Sequence, residues 1–188
     1  MNINNYNKIF NKYPPLVQTD RWNYGIWIIG NDYRNKSKYY GSYPPSYLKR
    51  IKALFQDIKN MLHLFAGKVE LGHWENEITF DINPELNPSV VGNSSYLPFK
   101  DGSFELVLAD PPYTQLDADK YNCKMPNRKN TLHEIYRVLE PRGYCVWLDT
   151  TYPMYRKNEF SLVGTIGLIR STNHRVRMIF IFKKVKDV

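Results

Sequence analysis

Three features of the sequence predict an α/β fold with helices layered on a mostly parallel sheet. First, short apolar runs end one after another in turn residues. Met61–Phe65 stops at Ala66-Gly67, Ile78–Ile82 at Asn83-Pro84 and Ser89–Val91 at Gly92-Asn93. Phe104–Ala109 then stops at Asp110-Pro111-Pro112, and Tyr144–Leu148 at Asp149. Such runs suit strands buried on both faces, as in parallel sheets. Second, helical periodicity falls between them. Third, the chain closes on two long strand-like runs, Phe160–Ile169 and Arg175–Val185, which read as an antiparallel hairpin.

Taken in order, residues 1–43 show no clear period and are expected to be an irregular N-terminal segment. Within it, Trp22 and Trp27 flank or enter the apolar run Tyr24–Gly30, and with Tyr39 and Tyr40 they are expected to serve packing. Residues 44–188 form the α/β core. Pro44-Pro45 precedes Ser46, a suitable N-cap, and Tyr47, Leu48, Ile51, Leu54, Phe55 and Ile58 share one face of a helix that reaches Asn60. After the third and fourth runs, Leu132, Ile135, Tyr136 and Leu139 predict a second helix over Lys129–Glu140, ended by Pro141-Arg142-Gly143. The intervening residues 114–130 are expected to be a solvated loop, with Asp117, Asp119 and Lys120 exposed.

At 188 residues the chain suits a single domain with a full core. Its 43% hydrophobic and 23% charged residues are globular in balance. Two cysteines, Cys123 and Cys145, make neither a disulfide framework nor a zinc site, so no metal is expected. No apolar stretch is long enough for a membrane span, and the Asn-rich start does not resemble a secretory signal; a cytoplasmic location is expected. The net charge of +8 is unevenly spread: +7 over residues 1–60, −5 over 61–152 and +6 over 153–188. Two basic flanks around an acidic middle point to a polyanionic partner, with Arg170, His174, Arg175 and Arg177 as phosphate contacts.

In an open parallel sheet, ligands bind beyond the carboxyl ends of the strands. Those ends carry Ala66-Gly67, Asp81, Asn93 and Asp110-Pro111-Pro112-Tyr113. A glycine lets the backbone approach a ligand, a carboxylate can accept from both ribose hydroxyls, and an Asn amide suits an adenine edge. No phosphate-cradling glycine motif is present. The tetrapeptide is the sharpest feature. Two prolines fix the backbone and remove both N–H groups, so the loop presents acceptors. Asp110 and the Pro111 carbonyl can hold the two hydrogens of one amino group, while Tyr113 offers a face for a base. His133 and Asp149 are expected to be structural.

These residues, in this order, resemble the S-adenosylmethionine-dependent methyltransferases, specifically the amino-group branch acting on adenine or cytosine in DNA. The resemblance spans about residues 38–150. Tyr43-Pro44-Pro45 resembles the segment that contacts the methionine part of the cofactor. His63-Leu64-Phe65-Ala66-Gly67 resembles the glycine-rich cofactor loop, Asp81 the ribose-binding acid and Asn93 the adenine contact. Asp110-Pro111-Pro112-Tyr113 matches the catalytic tetrapeptide, and Asp110 also borders the cofactor. The chain departs from the pattern in having His63 at a commonly acidic position and Lys68-Val69 after Gly67. The short span from there to Ile78 leaves little room for the usual crossover helix.

The resemblance implies a Rossmann-like class I methyltransferase. It would convert S-adenosylmethionine to S-adenosylhomocysteine while methylating a nucleobase amino group. N6 of adenine in DNA is the first choice, with N4 of cytosine, N2 of guanine in RNA, or a non-catalytic nucleic-acid-binding member as alternatives. With no separate target-recognition domain expected, readout falls to the N-terminal forty residues, the Thr114–Asn130 loop, the basic tail, a second copy or a specificity partner.

Overall fold

A computed structural model of the chain describes residues 1–30, 42–171 and 173–185, without the side chains of Asn173 and His174. Tyr39, Tyr40 and the His174 side chain therefore lie outside the described residues. The predicted α/β architecture is present as one sheet of nine strands. In chain order the strands are β1 (Val17–Gln18), β2 (Asn23–Ile29), β3 (Asn60–Leu64), β4 (Asn76–Asp81) and β5 (Val90–Val91). They continue with β6 (Phe104–Ala109), β7 (Leu139–Asp149), β8 (Phe160–Arg170) and β9 (Asn173–Lys184). Their spatial order is β1-β2-β8-β9-β7-β6-β3-β4-β5. Neighbours pair in parallel except where β1 meets β2 and where β9 meets β7 and β8.

Alternation along the central strands supplies two cores. Leu106, Leu108, Val146 and Leu148 face one layer, where helices α1 (Ile3–Ile9) and α2 (Tyr47–Leu54) pack. Val107, Ala109, Cys145 and Trp147 face the other, covered by helix α4 (Arg128–Val138) through Leu132, Ile135 and Val138. No helix among the described residues is long and apolar enough to cross a membrane.

The N-terminal segment corrects the expectation of irregularity. Residues 3–9 are helical and residues 17–29 form a hairpin whose second strand joins the sheet in parallel with β8. Asn-rich α1 has little intrinsic helix preference; it is held by burial of Ile3 and Tyr6 and by an N-cap from Asn2 to the Asn5 N–H. The buried Arg50 of α2 fastens it: its guanidinium donates to the Tyr6 hydroxyl and lies 4.7 and 4.5 Å from the Phe10 and Tyr13 ring centres.

Three boundaries also differ from expectation. Ser46 adopts a left-handed backbone and makes no capping bond, so α2 begins without the predicted cap. The helix stops at Leu54 because Phe55 turns away: its ring packs against Tyr144 and its carbonyl accepts from the Trp74 indole. Helix α4 ends at Val138 and β7 starts at once, so Pro141-Arg142-Gly143 lies in a bulge of that strand, between the pairs Phe104↔Leu139 and Leu106↔Tyr144.

Candidate active site at the carboxyl ends of the strands

The carboxyl ends of β3, β4 and β6 open on two adjoining cavities, of about 160 and 730 Å³, which share Phe65, Asp81, Pro112 and Tyr121 in their walls. After β3, Phe65 and Gly67 both take positive φ, 59° and 55°, so the chain doubles back at Ala66. A side chain at Gly67 would be strained there. The Gly67 N–H donates to Asp81 Oδ2 (2.9 Å) and Asn83 N–H to Asp81 Oδ1 (2.9 Å). Two donors thus fix the carboxylate at the end of β4 while leaving further lone pairs for hydroxyls. Asn93 lines the larger cavity; its Oδ1 accepts from Ser95 N–H, so its amide hydrogens are what it offers a ligand. Pro44 lines the smaller cavity, Ala66 is buried behind the loop, and Tyr43 sits behind the wall with its ring stacked on Tyr47.

The segment between Gly67 and β4 contains no helix, in keeping with the short spacing. Glu77 takes its place as an organiser. Its Oε1 accepts from the N–H groups of Gly72, His73 and Trp74, and its Oε2 meets His63 Nε2 at 3.0 Å. Burial works against the Glu77 charge, but these bonds outweigh it and bring the carboxyl down to about 2. His63, at the unusual position, is thus the buried partner of Glu77 and not a cavity residue.

Asp110 closes β6, its N–H bonded to the Leu64 carbonyl of β3, and Pro111, Pro112 and Tyr113 continue round the smaller cavity. The carboxyl faces the cavity and is otherwise enclosed by protein. Loss of hydration pushes it up to about 7, against the opposing pull of the Tyr113 hydroxyl and Arg177. Tyr113 is not simply a flat wall: its hydroxyl donates to Asp110 Oδ1 at 2.5 Å. The bond occupies one acceptor position of the carboxylate.

The loop is braced by a residue that sequence reading missed. Arg128, first in α4, donates from Nε to Asp149 Oδ2 (2.9 Å) and from Nη2 to the carbonyls of Pro112 and Tyr113 (both 3.3 Å). Asp149 is fully buried and also accepts from the Trp147 indole and from Thr150 and Thr151 N–H. It anchors Arg128 and does not line either cavity. His133 likewise pairs with Glu159 away from the cavities.

Residues 114–130 correct the expectation of a solvated loop. Gln115–Lys120 is helix α3, capped by Thr114, and Asp117 is 3% exposed because it pairs with Arg175 at 3.0 Å. Arg170, Arg175 and Arg177 all line the smaller cavity, beside Tyr113.

Residues 79–147 match a family model described as a methyltransferase domain. Among solved structures, TrmN from Thermus thermophilus superposes with a TM-score of 0.58 at 14% identity, covering 78% of this chain and 50% of that one. The N-methyltransferase NodS from Bradyrhizobium japonicum, in complex with S-adenosyl-L-homocysteine, superposes at 0.52 with 10% identity, over 73% and 83% of the two chains. The chain has the class I methyltransferase fold. Its Rossmann-like sheet is mostly parallel and carries the antiparallel β9. A demethylmenaquinone methyltransferase of Lactiplantibacillus plantarum is 39% identical over 62 residues, 33% of this chain and 22% of that enzyme. The chain thus spans about a fifth of that curated relative and half of TrmN.

Proposed function

We propose that the chain methylates an exocyclic amino group of a nucleobase, with N6 of adenine in DNA as the first choice. N4 of cytosine in DNA and N2 of guanine in RNA are the alternatives. The observation that carries this reading is the Asp110–Tyr113 segment: a loop ending β6 whose two prolines carry no N–H, in the wall of a cavity that adjoins the Asp81 and Asn93 cavity. Asp81, Asn93, Phe65 and the Gly67 turn would hold the nucleoside part of S-adenosylmethionine, and Pro44 and Asp110 would border its methionine part. When bound, S-adenosylmethionine supplies an electrophilic methyl group.

An exocyclic amine is a weak nucleophile because its lone pair is conjugated into the ring. The Asp110 carboxylate and the Pro111 carbonyl accept its two hydrogens and draw the nitrogen toward tetrahedral geometry, with the lone pair aimed in one direction. Two conditions follow from the site. Asp110 must be ionised, and Tyr113 must release Oδ1 and turn its ring face to the base. A base in duplex also leaves its stack, which costs a few kcal/mol. The basic flanks support a nucleic-acid partner through phosphate contacts.

Incubating the protein with labelled S-adenosylmethionine and unmethylated DNA or RNA, followed by mass spectrometry of the nucleosides, tests the proposal. N6-methyladenine in DNA is the expected product. Label in neither polymer, together with no binding of S-adenosylmethionine in calorimetry, would leave a non-catalytic member of the fold. A small-molecule acceptor is a second reading, favoured by the 62-residue match to a demethylmenaquinone methyltransferase. It requires transfer that ignores added nucleic acid and salt.

A further inference from the structure

The arginines of the terminal hairpin stand in the acceptor cavity itself. Arg170 ends β8, Arg175 and Arg177 begin β9, and all three line the cavity that holds Asp110 and Tyr113. The guanidinium carbons of Arg175 and Arg177 lie 5.9 and 5.3 Å from the Tyr113 ring centre, and all three side chains are partly buried. A surface that only tracks a phosphate backbone has no need to desolvate its cations.

Three guanidinium groups converge on this one cavity. Asp117 answers Arg175, and Asp81 is committed to the Gly67 and Asn83 amides. Arg177 has no salt-bridge partner among the described residues, and its buried Nε has no hydrogen-bond partner. Burial and the neighbouring Arg177 both lower the proton affinity of Arg170, so the two cations oppose each other. Asp110, raised to about 7, carries only part of a charge at neutral pH. A cationic sulfonium bordered by Asp110 would add a further positive charge beside them. An anion belonging to the acceptor would offset it.

We propose that Arg170 and Arg177, with Arg175 at the rim, form an anion subsite inside the acceptor pocket. The methylated molecule is then a flat aromatic amine carrying its own oxyanion, the ring on Tyr113 and the oxyanion on the arginines. This rests on the amino-methyltransfer reading and deepens it: the oxyanion is the phosphate of the target nucleotide itself. A carboxylate on a small aromatic amine offers the same chemistry from another source.

The test is calorimetric titration of the full chain with matched pairs: deoxyadenosine monophosphate against deoxyadenosine, and 4-aminobenzoate against aniline. The phosphate is expected to strengthen binding roughly 10- to 100-fold, as charge-assisted hydrogen bonds of that kind do. In Arg177→Gln that advantage should vanish while deoxyadenosine binding stays within about threefold. Arg177→Lys should restore part of it, since a point charge replaces a fork. An advantage confined to 4-aminobenzoate keeps the subsite and assigns it a carboxylate. No advantage for either oxyanion, or an equal loss of charged and uncharged probes in Arg177→Gln, overturns the proposal. Methyl transfer separates the two readings. DNA methylation without any oxyanion advantage removes the subsite alone, whereas an intact advantage without nucleic-acid methylation removes the proposed reaction alone.

Discussion

On the proposed reading Asp110 acts as a carboxylate, yet loss of hydration raises its pKa to about 7. Methyl transfer under saturating substrate should therefore rise as pH increases through about 7, and a kcat profile flat from pH 5.5 to 8.5 would contradict the role. The same shift acts on stability with the opposite sign. Above the ordinary carboxylate value the unfolded chain has lost this proton while the folded chain keeps it, so stability falls with pH until about 7. Asp110→Asn should consequently be more stable than the parent at pH 8, by on the order of 1–3 kcal/mol. It should also lose transfer by roughly 10²–10³-fold while binding S-adenosylhomocysteine nearly as before. Thermal melts, turnover and calorimetry on the one variant check all three. The place of the tetrapeptide was legible because it closes a buried apolar run at the carboxyl end of a strand, and it does line the cavity there. Arg128 was not, since nothing in its local spacing shows that α4 brings it under the Pro112 and Tyr113 carbonyls. Arg128→Ala should cut turnover more than substrate affinity and cost about 1–3 kcal/mol, because Asp149 keeps its other donors.

At the level of elements, the strands of the parallel half were readable because each is an apolar run closed by a turn residue, and β6 came out residue for residue. Elements held by distant partners were not. Helix α1 depends on Arg50 and β2 on β8, so neither leaves a periodic signal of its own. The loop before β4 shows how a missing crossover helix is compensated. Glu77, held at about 2, contributes stability that is complete above its unfolded value and lost as pH falls toward about 2. Glu77→Gln should destabilise the fold at pH 7 by about 2–3 kcal/mol and flatten the melting temperature between pH 4.5 and 2. The β2–β8 seam has its own critical point. A Cβ at Gly164 would come within 2.8 Å of the Asn23 carbonyl oxygen. Gly164→Ala should therefore loosen β2, losing about 1–3 kcal/mol and the amide-exchange protection of residues 23–29.

Over the whole molecule, the charge asymmetry that suggested a polyanion becomes spatial. The acidic middle supplies the strand ends and their carboxylates, while the basic C-terminal flank folds back so that three arginines reach the same cavity. The sequence suggested phosphate contacts for these residues; the antiparallel return of β9 beside β7 sets Arg175 and Arg177 next to Tyr113. On the nucleic-acid reading, the apparent affinity for DNA should fall steeply between 50 and 200 mM salt, in proportion to the phosphates engaged. An affinity insensitive to salt would favour the small-molecule acceptor.

The parallel seam between β2 and β8 also dictates an order of events during synthesis. Asn23 donates its side-chain amide to the Val163 carbonyl, a partner 140 residues further along the chain. The nascent N-terminal third can dock α1 on α2 early, since Arg50 lies within reach. Its hairpin, with Tyr24, Ile26 and Ile28 on an exposed face, must wait until β8 has left the ribosome. Closing so long a loop makes the last stage of folding a slow one of high contact order, and an unpaired strand is presented to chaperones and to other nascent copies in the meantime.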